Sequence, residues 1–441
     1  MRFQEEAMNE ITVGLMALGV LLLLFATGLE LALAMFIVGF AGFAYIVGPS
    51  AALNLLAKDV FESFQSYSLT VVPLFVLMGQ LAYNAGIAKR LYDTAHRFVG
   101  HVSGGLAIAT VAGCTVFGAI CGSAAATAAT FASVSVPEMD RFGYSRRFSA
   151  GLVAIAGTLG IMIPPSVPMI IFGIITQQSI GKLFVAGIIP GVVIALLFIL
   201  LISIRCKMNP AIAPKGKRFS WGDRMRSLAG VIWPLLIFIL VMEGLLHGFF
   251  TPTEAGSVGA CAILLLSLLK RDLNKKDFIK SIGESLLTAA MVLFLLASST
   301  VLGHFLAVTR IPMVTSDWLV GLPLPAWGIM GLICVVYLIG GSFIDDLAFM
   351  VLSTPIFYPA VLKLGYDPIW FGVMITITVM IGIVVPPVAI NVFVVKNVTK
   401  SSFKDIYNGV YPFLIGLAVC AILLFIYPQI ALFLPDLFYG K

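Results

Sequence analysis

The sequence predicts an all-α, polytopic membrane protein, built as an inverted repeat with two re-entrant hairpins and two helices broken by Pro-Pro pairs. Three observations carry that prediction. Of 441 residues, 60% are hydrophobic and 11% charged, with a mean hydropathy of +1.07, which far exceeds the apolar content of a soluble domain. Inside otherwise continuous apolar segments lie GTLGIMIPPS at 157–166 and IGIVVPPV at 381–388, and glycine with a Pro-Pro pair cannot continue a helix. These breaks lie 222 positions apart, and the same offset, without a gap, pairs Gly118 with Gly340, Pro137 with Pro359, Lys182 with Lys404 and Pro190 with Pro412. Matched breaks in two apolar halves point to a secondary transporter whose site lies where the broken helices meet.

Taken in order, apolar runs at 11–28 and 31–48 are each long enough to span a hydrocarbon core about 30 Å thick. The segment before them, Met1 to Glu10, is acidic and lacks a basic stretch, so the first run reads as a retained span rather than a cleaved signal. Residues 50–66 read as an interfacial link into a span at 67–85, and 87–101, charged on one side and apolar on the other, as an interfacial helix. Segments 104–121 and 124–137 are rich in Gly, Ala, Ser and Thr, which suits burial within protein. They are expected to form a re-entrant hairpin with its tip at Gly122 and Ser123, two ordinary spans being the alternative. The broken helix at 148–178 and a span at 183–204 follow. After a polar linker come spans at 228–247 and 253–269. The second half then repeats the plan: a span at 283–307, an interfacial piece at 310–321, a hairpin from 325–341 and 347–362, the broken helix at 369–395 and a last span at 410–432. About eleven spans plus the two hairpins are expected.

The resulting domain plan is 1–101 for the N-terminal scaffold spans and interfacial helix, 102–204 for the first transport half with its following span, and 205–226 for a cytoplasmic linker. Then come 227–321 for the second scaffold segment, 322–400 for the second transport half and 401–441 for the C-terminal span. The net charge is +6, but 21 of the 27 Lys and Arg residues fall in loops 88–101, 141–147, 205–226, 270–280 and 396–404. All five loops lie on one side in this assignment, which the positive-inside rule makes cytoplasmic. Both termini are then expected to be periplasmic, the halves inverted, and no nucleic acid is expected as a partner.

Two carboxylates, Asp345 and Asp346, fall at the second hairpin tip between long apolar runs, and an acid at membrane depth points to function. Their counterparts are Ser123 and Ala124. Gly122, Ser123, Thr158 and Gly160 are candidates for one Na⁺ site, and Asp345, Asp346 and Gly382 for a second, because unwound carbonyls and hydroxyls supply the hard oxygens that Na⁺ prefers. The alternative for the Asp pair is a helix cap at Leu347, and which of the two faces an ion stays open. Ser166, Thr376 and Asn391, close to the breaks, are candidates for substrate contact, with Thr378 beside them. Glu254, behind Pro252, reads as a cap, and His247 and His304 as structural.

Enzyme chemistry lacks its usual groups: HExxH, GxSxG and GxxxxGK[ST] are absent, which leaves zinc proteolysis, hydrolysis and nucleotide chemistry without their motifs. Neither CxxC nor Cys/His spacing occurs among the six cysteines, which read as packing residues.

Four stretches in combination, GTLGIMIPPS at 157–166, GSAAAT at 122–127, FIDDLA at 343–348 with Thr354-Pro355, and TPTEAG at 251–256, resemble the large membrane subunit of tripartite ATP-independent periplasmic (TRAP) transporters. The resemblance covers essentially the whole chain. It implies an elevator-type, Na⁺-driven importer in the bacterial inner membrane. That importer receives a small organic acid, a dicarboxylate or sugar acid, from a soluble periplasmic binding protein. It works with a small four-helix membrane subunit, which is not fused here. One departure stands out: Met380, Val385 and Ala389 occupy positions where the family usually has Glu, Thr and Gly. Two further readings remain, a stand-alone Na⁺- or H⁺-coupled carboxylate symporter and a non-transporting membrane assembly subunit.

Overall fold

The computed structural model describes residues 2–440, and for 2–9 the backbone alone. The retained-span reading of Met1 to Glu10 therefore turns largely on side chains outside the described residues. The first half runs α1 (Arg2–Ala26), α2 (Leu31–Val47), α3 (Pro49–Gln65), α4 (Val71–Asn84) and α5 (Ile87–Val99). Then come the hairpin α6 (Gly105–Cys121) and α7 (Ala124–Arg141), the broken helix α8 (Arg146–Ala156) and α9 (Val167–Thr176), and α10 (Ile180–Met208). A short α11 (Trp221–Leu228) leads into the second half: α12 (Ile232–Leu246), α13 (Pro252–Leu269), α14 (Lys275–Val308) and α15 (Ile311–Val320). The second hairpin is α16 (Ala326–Phe343) and α17 (Asp346–Lys363), the second broken helix α18 (Pro368–Gly382) and α19 (Ile390–Thr399), followed by α20 (Phe403–Ile426) and α21 (Gln429–Tyr439). No strand occurs among the described residues.

The 222-residue offset governs the elements as well as the residues. Both ends of α7 recur in α17, the start of α8 recurs in α18, and the ends of α2 recur in α13 to within one residue. The halves part company at one place. Where the second half has the unbroken 34-residue α14, the first has α3 and then the stretch from Tyr67 to the end of α4, inclined at 51°. The break falls at Ser66, whose backbone is extended, where the second half has Thr288 within the continuous α14.

Among the described residues, seven helices are long and apolar enough to cross a membrane by length and composition, or eight if the bent pair is one span. This falls short of the eleven expected because several expected crossings are assembled from short pieces: α8 with α9, and α18 with α19, have 11, 10, 15 and 10 residues. Both arms of the second hairpin also meet that test on their own. The expected last span at 410–432 is two elements. α20 stops at Ile426, and α21 starts after Pro428 and carries Pro435 within it.

The stretch expected as a linker is folded onto the first half. Gly104 N–H and Ser103 Oγ donate to the Ala213 carbonyl, Ser145 N–H donates to Ile212, and Gly216 N–H donates to Gly100. The first break is deeply buried, with every residue from Phe148 to Gly173 covered, whereas the second is exposed at Pro386 and Pro387. Four cysteines are buried, while Cys261 is exposed and Cys334 half-buried.

Candidate functional site

Each hairpin tip packs against the break of its own half. The Gly122 carbonyl accepts Val167 N–H at 3.4 Å, and the Ser342 carbonyl accepts Val388 and Ala389 N–H at 3.0 and 3.4 Å. Both Pro-Pro bonds, Pro164-Pro165 and Pro386-Pro387, are cis. Glycine is needed behind each tip because the chains nearly touch. A Cβ on Gly160 would lie 2.6 Å from the Ser123 carbonyl oxygen, and one on Gly382 would lie 2.8 Å from the Gly341 carbonyl carbon.

The two tips meet at one cavity of about 730 Å³. Its wall includes residues 121–126 of the first tip, 344–348 of the second, Val167 and Pro168 at the start of α9, and Ile390 and Asn391 at the start of α19. Four helix N-termini, those of α7, α9, α17 and α19, therefore converge on one space. The aligned peptide dipoles make each a partial positive charge, although Val167 N–H is taken by the Gly122 carbonyl and the caps Ser123, Ser166 and Asp345 accept others. Among the described residues no Lys, Arg or His lines the cavity; its charged wall groups are Glu30, Asp345 and Asp346.

The helix-cap reading of the Asp pair holds for Asp345, and both carboxylates line the cavity. Asp345 is the N-cap of α17, its Oδ1 accepting Leu347 N–H at 3.1 Å and Ala348 N–H at 3.5 Å. Ser123, its counterpart, is likewise the N-cap of α7, accepting Ala126 N–H at 3.3 Å. Asp346 is the first residue of the helix, half-buried on the cavity wall, where the first half has Ala124. Its carboxylate is thus the group the second tip adds to the shared plan.

Of the other sequence candidates, Gly122, Ser123 and Asn391 line the cavity, while Gly160 and Gly382 lie behind the tips. Asn391 is buried; its Nδ2 donates to the Ala154 carbonyl at 3.1 Å, tying α19 to α8, and its Oδ1 has no partner among the described residues. Four hydroxyls stay off the wall and bond to helix carbonyls. Thr158 donates to Ile155, Ser166 to Ile161, Thr376 to Gly372 and Thr378 to Met374, at 2.6 to 2.8 Å. Ser166 also caps α9 through Met169 N–H. Ala389, at a departure from the family pattern, holds φ +55 at the N-cap of α19.

Sequence reasoning passed over Glu30, Gln80 and Thr288, which complete the wall from α4, α14 and the turn into α2. Glu30, a carboxylate between two apolar runs, was the available signal; the other two carried none. His304, isolated in sequence, bonds through Nδ1 to buried Asp59 at 2.8 Å. That pair joins α3 to α14 away from the cavity. Glu254 forms a capping box with Thr251, as its position behind Pro252 suggested.

Comparison with known proteins bears on the family and the fold. The sequence model of the family described as "Tripartite ATP-independent periplasmic transporter, DctM component" matches residues 18–430. A C4-dicarboxylate TRAP transporter large permease protein of Pseudomonas aeruginosa is 36% identical over 388 residues, covering 87% of this chain and 90% of the relative. An ectoine TRAP transporter large permease protein of Halomonas elongata is 34% identical over 425 residues, covering 95% and 97%. A sialic acid counterpart from Vibrio cholerae is 32% identical over 397 residues, covering 90% and 92%. Among solved structures, the YdaH transporter of Alcanivorax borkumensis shares the fold at a TM-score of 0.63 and 12% identity, covering 86% of this chain and 89% of that one. These relatives are permease subunits and not enzymes. The chain belongs to the DctM component family of tripartite ATP-independent periplasmic transporters and is a multi-pass large permease subunit.

Proposed function

We propose that the protein performs Na⁺-driven secondary import of a small organic acid, a dicarboxylate or sugar acid, handed over by a periplasmic binding protein and taken up together with a small four-helix membrane subunit. The observation that carries this reading is the convergence of four helix N-termini on a cavity with no basic side chain among the described residues. The peptide dipoles of such termini favour a carboxylate between them, as half-helices do at the midplane of other secondary transporters. Carboxylate, hydroxyl and carbonyl oxygens at Asp346, Ser123 and the Gly160 and Gly382 breaks suit Na⁺. A cation at each tip adds positive field to the space between, so anion binding depends on the cation and the two fluxes are coupled.

The shape of the cavity supports alternating access. It reaches the α1–α2 turn at Gly28, Leu29 and Glu30 but not the α12–α13 turn, the equivalent place in the second half. With the basic loops cytoplasmic and both termini periplasmic, the open mouth faces the cytoplasm. Exchanging the conformations of the two inverted halves opens the other side, with hairpins and breaks as the moving unit and the remaining helices as scaffold.

Reconstitution in proteoliposomes tests the reading. Uptake that requires an inward Na⁺ gradient, the small subunit and the binding protein is the expected result. Uptake without the binding protein makes the chain a stand-alone symporter, and absence of uptake under any gradient makes it an assembly subunit. Identifying the ligand of a binding protein encoded beside this chain names the substrate.

A further inference from the structure

Arg224 of α11 is 7% exposed, and its Nε and Nη2 have no hydrogen-bond partner among the described residues. Its guanidinium lies between two aromatic rings, 5.0 Å from the centroid of Trp221 and 5.9 Å from that of Phe98 on α5. Arg97, one residue before Phe98, makes a similar ring contact, is half-buried and lies near the carboxylates of Asp93 and Asp223. It lies 5.9 Å over the Phe219 ring, and its Nη1 makes one long bond, 3.4 Å, to the Asp223 carbonyl. Asp223, the sole carboxylate in α11, accepts Ser220 Oγ at 2.7 Å. A nearly buried cation with unfilled donors is costly unless an anion completes it, and a guanidinium held flat by rings presents its fork to a phosphate. The same helix turns Trp221 and Met225 outward, 66% and 50% exposed, and the span it leads into begins with exposed Ile232 and Trp233. Exposed tryptophans where a span begins mark the level of lipid headgroups.

We infer that α5, α11 and the segment from Phe219 form a binding site for the phosphate of an anionic phospholipid headgroup on the basic face of the protein, with Arg224 and Arg97 as its cationic ligands. The site is separate from the transport cavity, which neither arginine lines. A free phosphate ion shares the chemistry; the exposed Trp221, Met225 and Trp233 argue for the lipid, whose acyl chains they would meet. Basic pockets at the cytoplasmic membrane surface hold such headgroups.

Native mass spectrometry of the full chain, released from nanodiscs containing phosphatidylglycerol and phosphatidylcholine with the same acyl chains, reads the outcome. Phosphatidylglycerol should be retained in preference. Arg224→Gln and Arg97→Gln should each lower that retention about fivefold or more, as expected for losing one hydrogen bond to a charged group, with Lys58→Gln as the control that leaves it unchanged. Equal retention of the two lipids overturns the site, as does retention that survives both Arg substitutions. Displacement of the lipid by millimolar inorganic phosphate assigns the pocket to the free ion and overturns the lipid assignment. Should Arg224→Gln fail to fold, the more exposed Arg97 decides the matter by itself.

Discussion

Gly160 and Ser123 lie so close that an added Cβ on the glycine would come within 2.6 Å of the serine carbonyl oxygen, and also within 2.6 Å of Thr127 Oγ1. Break and tip therefore hold one another in place. Gly160→Ala should push the first tip outward and weaken Na⁺-dependent substrate binding, at an overpacking cost of about 1–3 kcal/mol. Gly382→Ala, which meets Gly341 and Leu338 backbone at 2.8 to 3.0 Å, should do the same at the second tip. Titration of substrate binding against Na⁺ in purified protein checks both. An alanine variant that binds Na⁺ as the parent does removes the tip-and-break site.

Ala389 is the place where departure from the family pattern has a local cost. Its φ of +55 is left-handed, which disfavours a Cβ by about 1–2 kcal/mol. Ala389→Gly should raise the melting temperature in detergent, and a fall in melting temperature would show that the alanine methyl contributes packing that outweighs the strain.

Asn391 presents an Oδ1 unpartnered among the described residues while its Nδ2 is held by the Ala154 carbonyl. Asn391→Asp should place a carboxylate among helix N-termini meant for the substrate, so the KM for an anionic substrate should rise by about tenfold or more, which is about 1.4 kcal/mol. Uptake kinetics read the change; an unaltered KM takes Asn391 out of the site.

The Thr251–Glu254 capping box lies outside the cavity wall. Thr251→Ala should cost about 1 kcal/mol of stability while the Na⁺ dependence of uptake stays as in the parent. A changed Na⁺ dependence would mean that this turn belongs to the moving unit.

What the sequence exposed well is what the backbone must do regardless of partners. Pro-Pro pairs break helices wherever they fall, so both breaks, both hairpins and the offset between halves were readable from residue identity alone. The Asp pair was readable only as a pair. The cap role of Asp345 needed the knowledge that the helix begins at Asp346, which places Asp345 and Ser123 at the same N-cap. Thr376 and Thr378 show the opposite limit: a hydroxyl near a break looks like a ligand in sequence, yet inside a helix it turns back to the carbonyl four residues earlier. Contacts over long separations were invisible, as with His304 and Asp59, because nothing local records a partner 245 positions away. The bend at Ser66 carried no proline or glycine to mark it and was read as a simple link.

The Na⁺ dependence of uptake by Asp345→Ala and Asp346→Ala, made separately and reconstituted with the binding protein and small subunit, tests the central claim that the second tip holds a coupling cation. Asp346→Ala should raise the Na⁺ concentration for half-maximal uptake about tenfold or more, since losing a charged ligand costs about 1.5–3 kcal/mol. Asp345→Ala should chiefly lose its cap, about 1 kcal/mol of stability, and keep a Na⁺ dependence near that of the parent. Two variants that assemble and transport with unchanged Na⁺ dependence would contradict the account and leave the second tip with no carboxylate role in coupling.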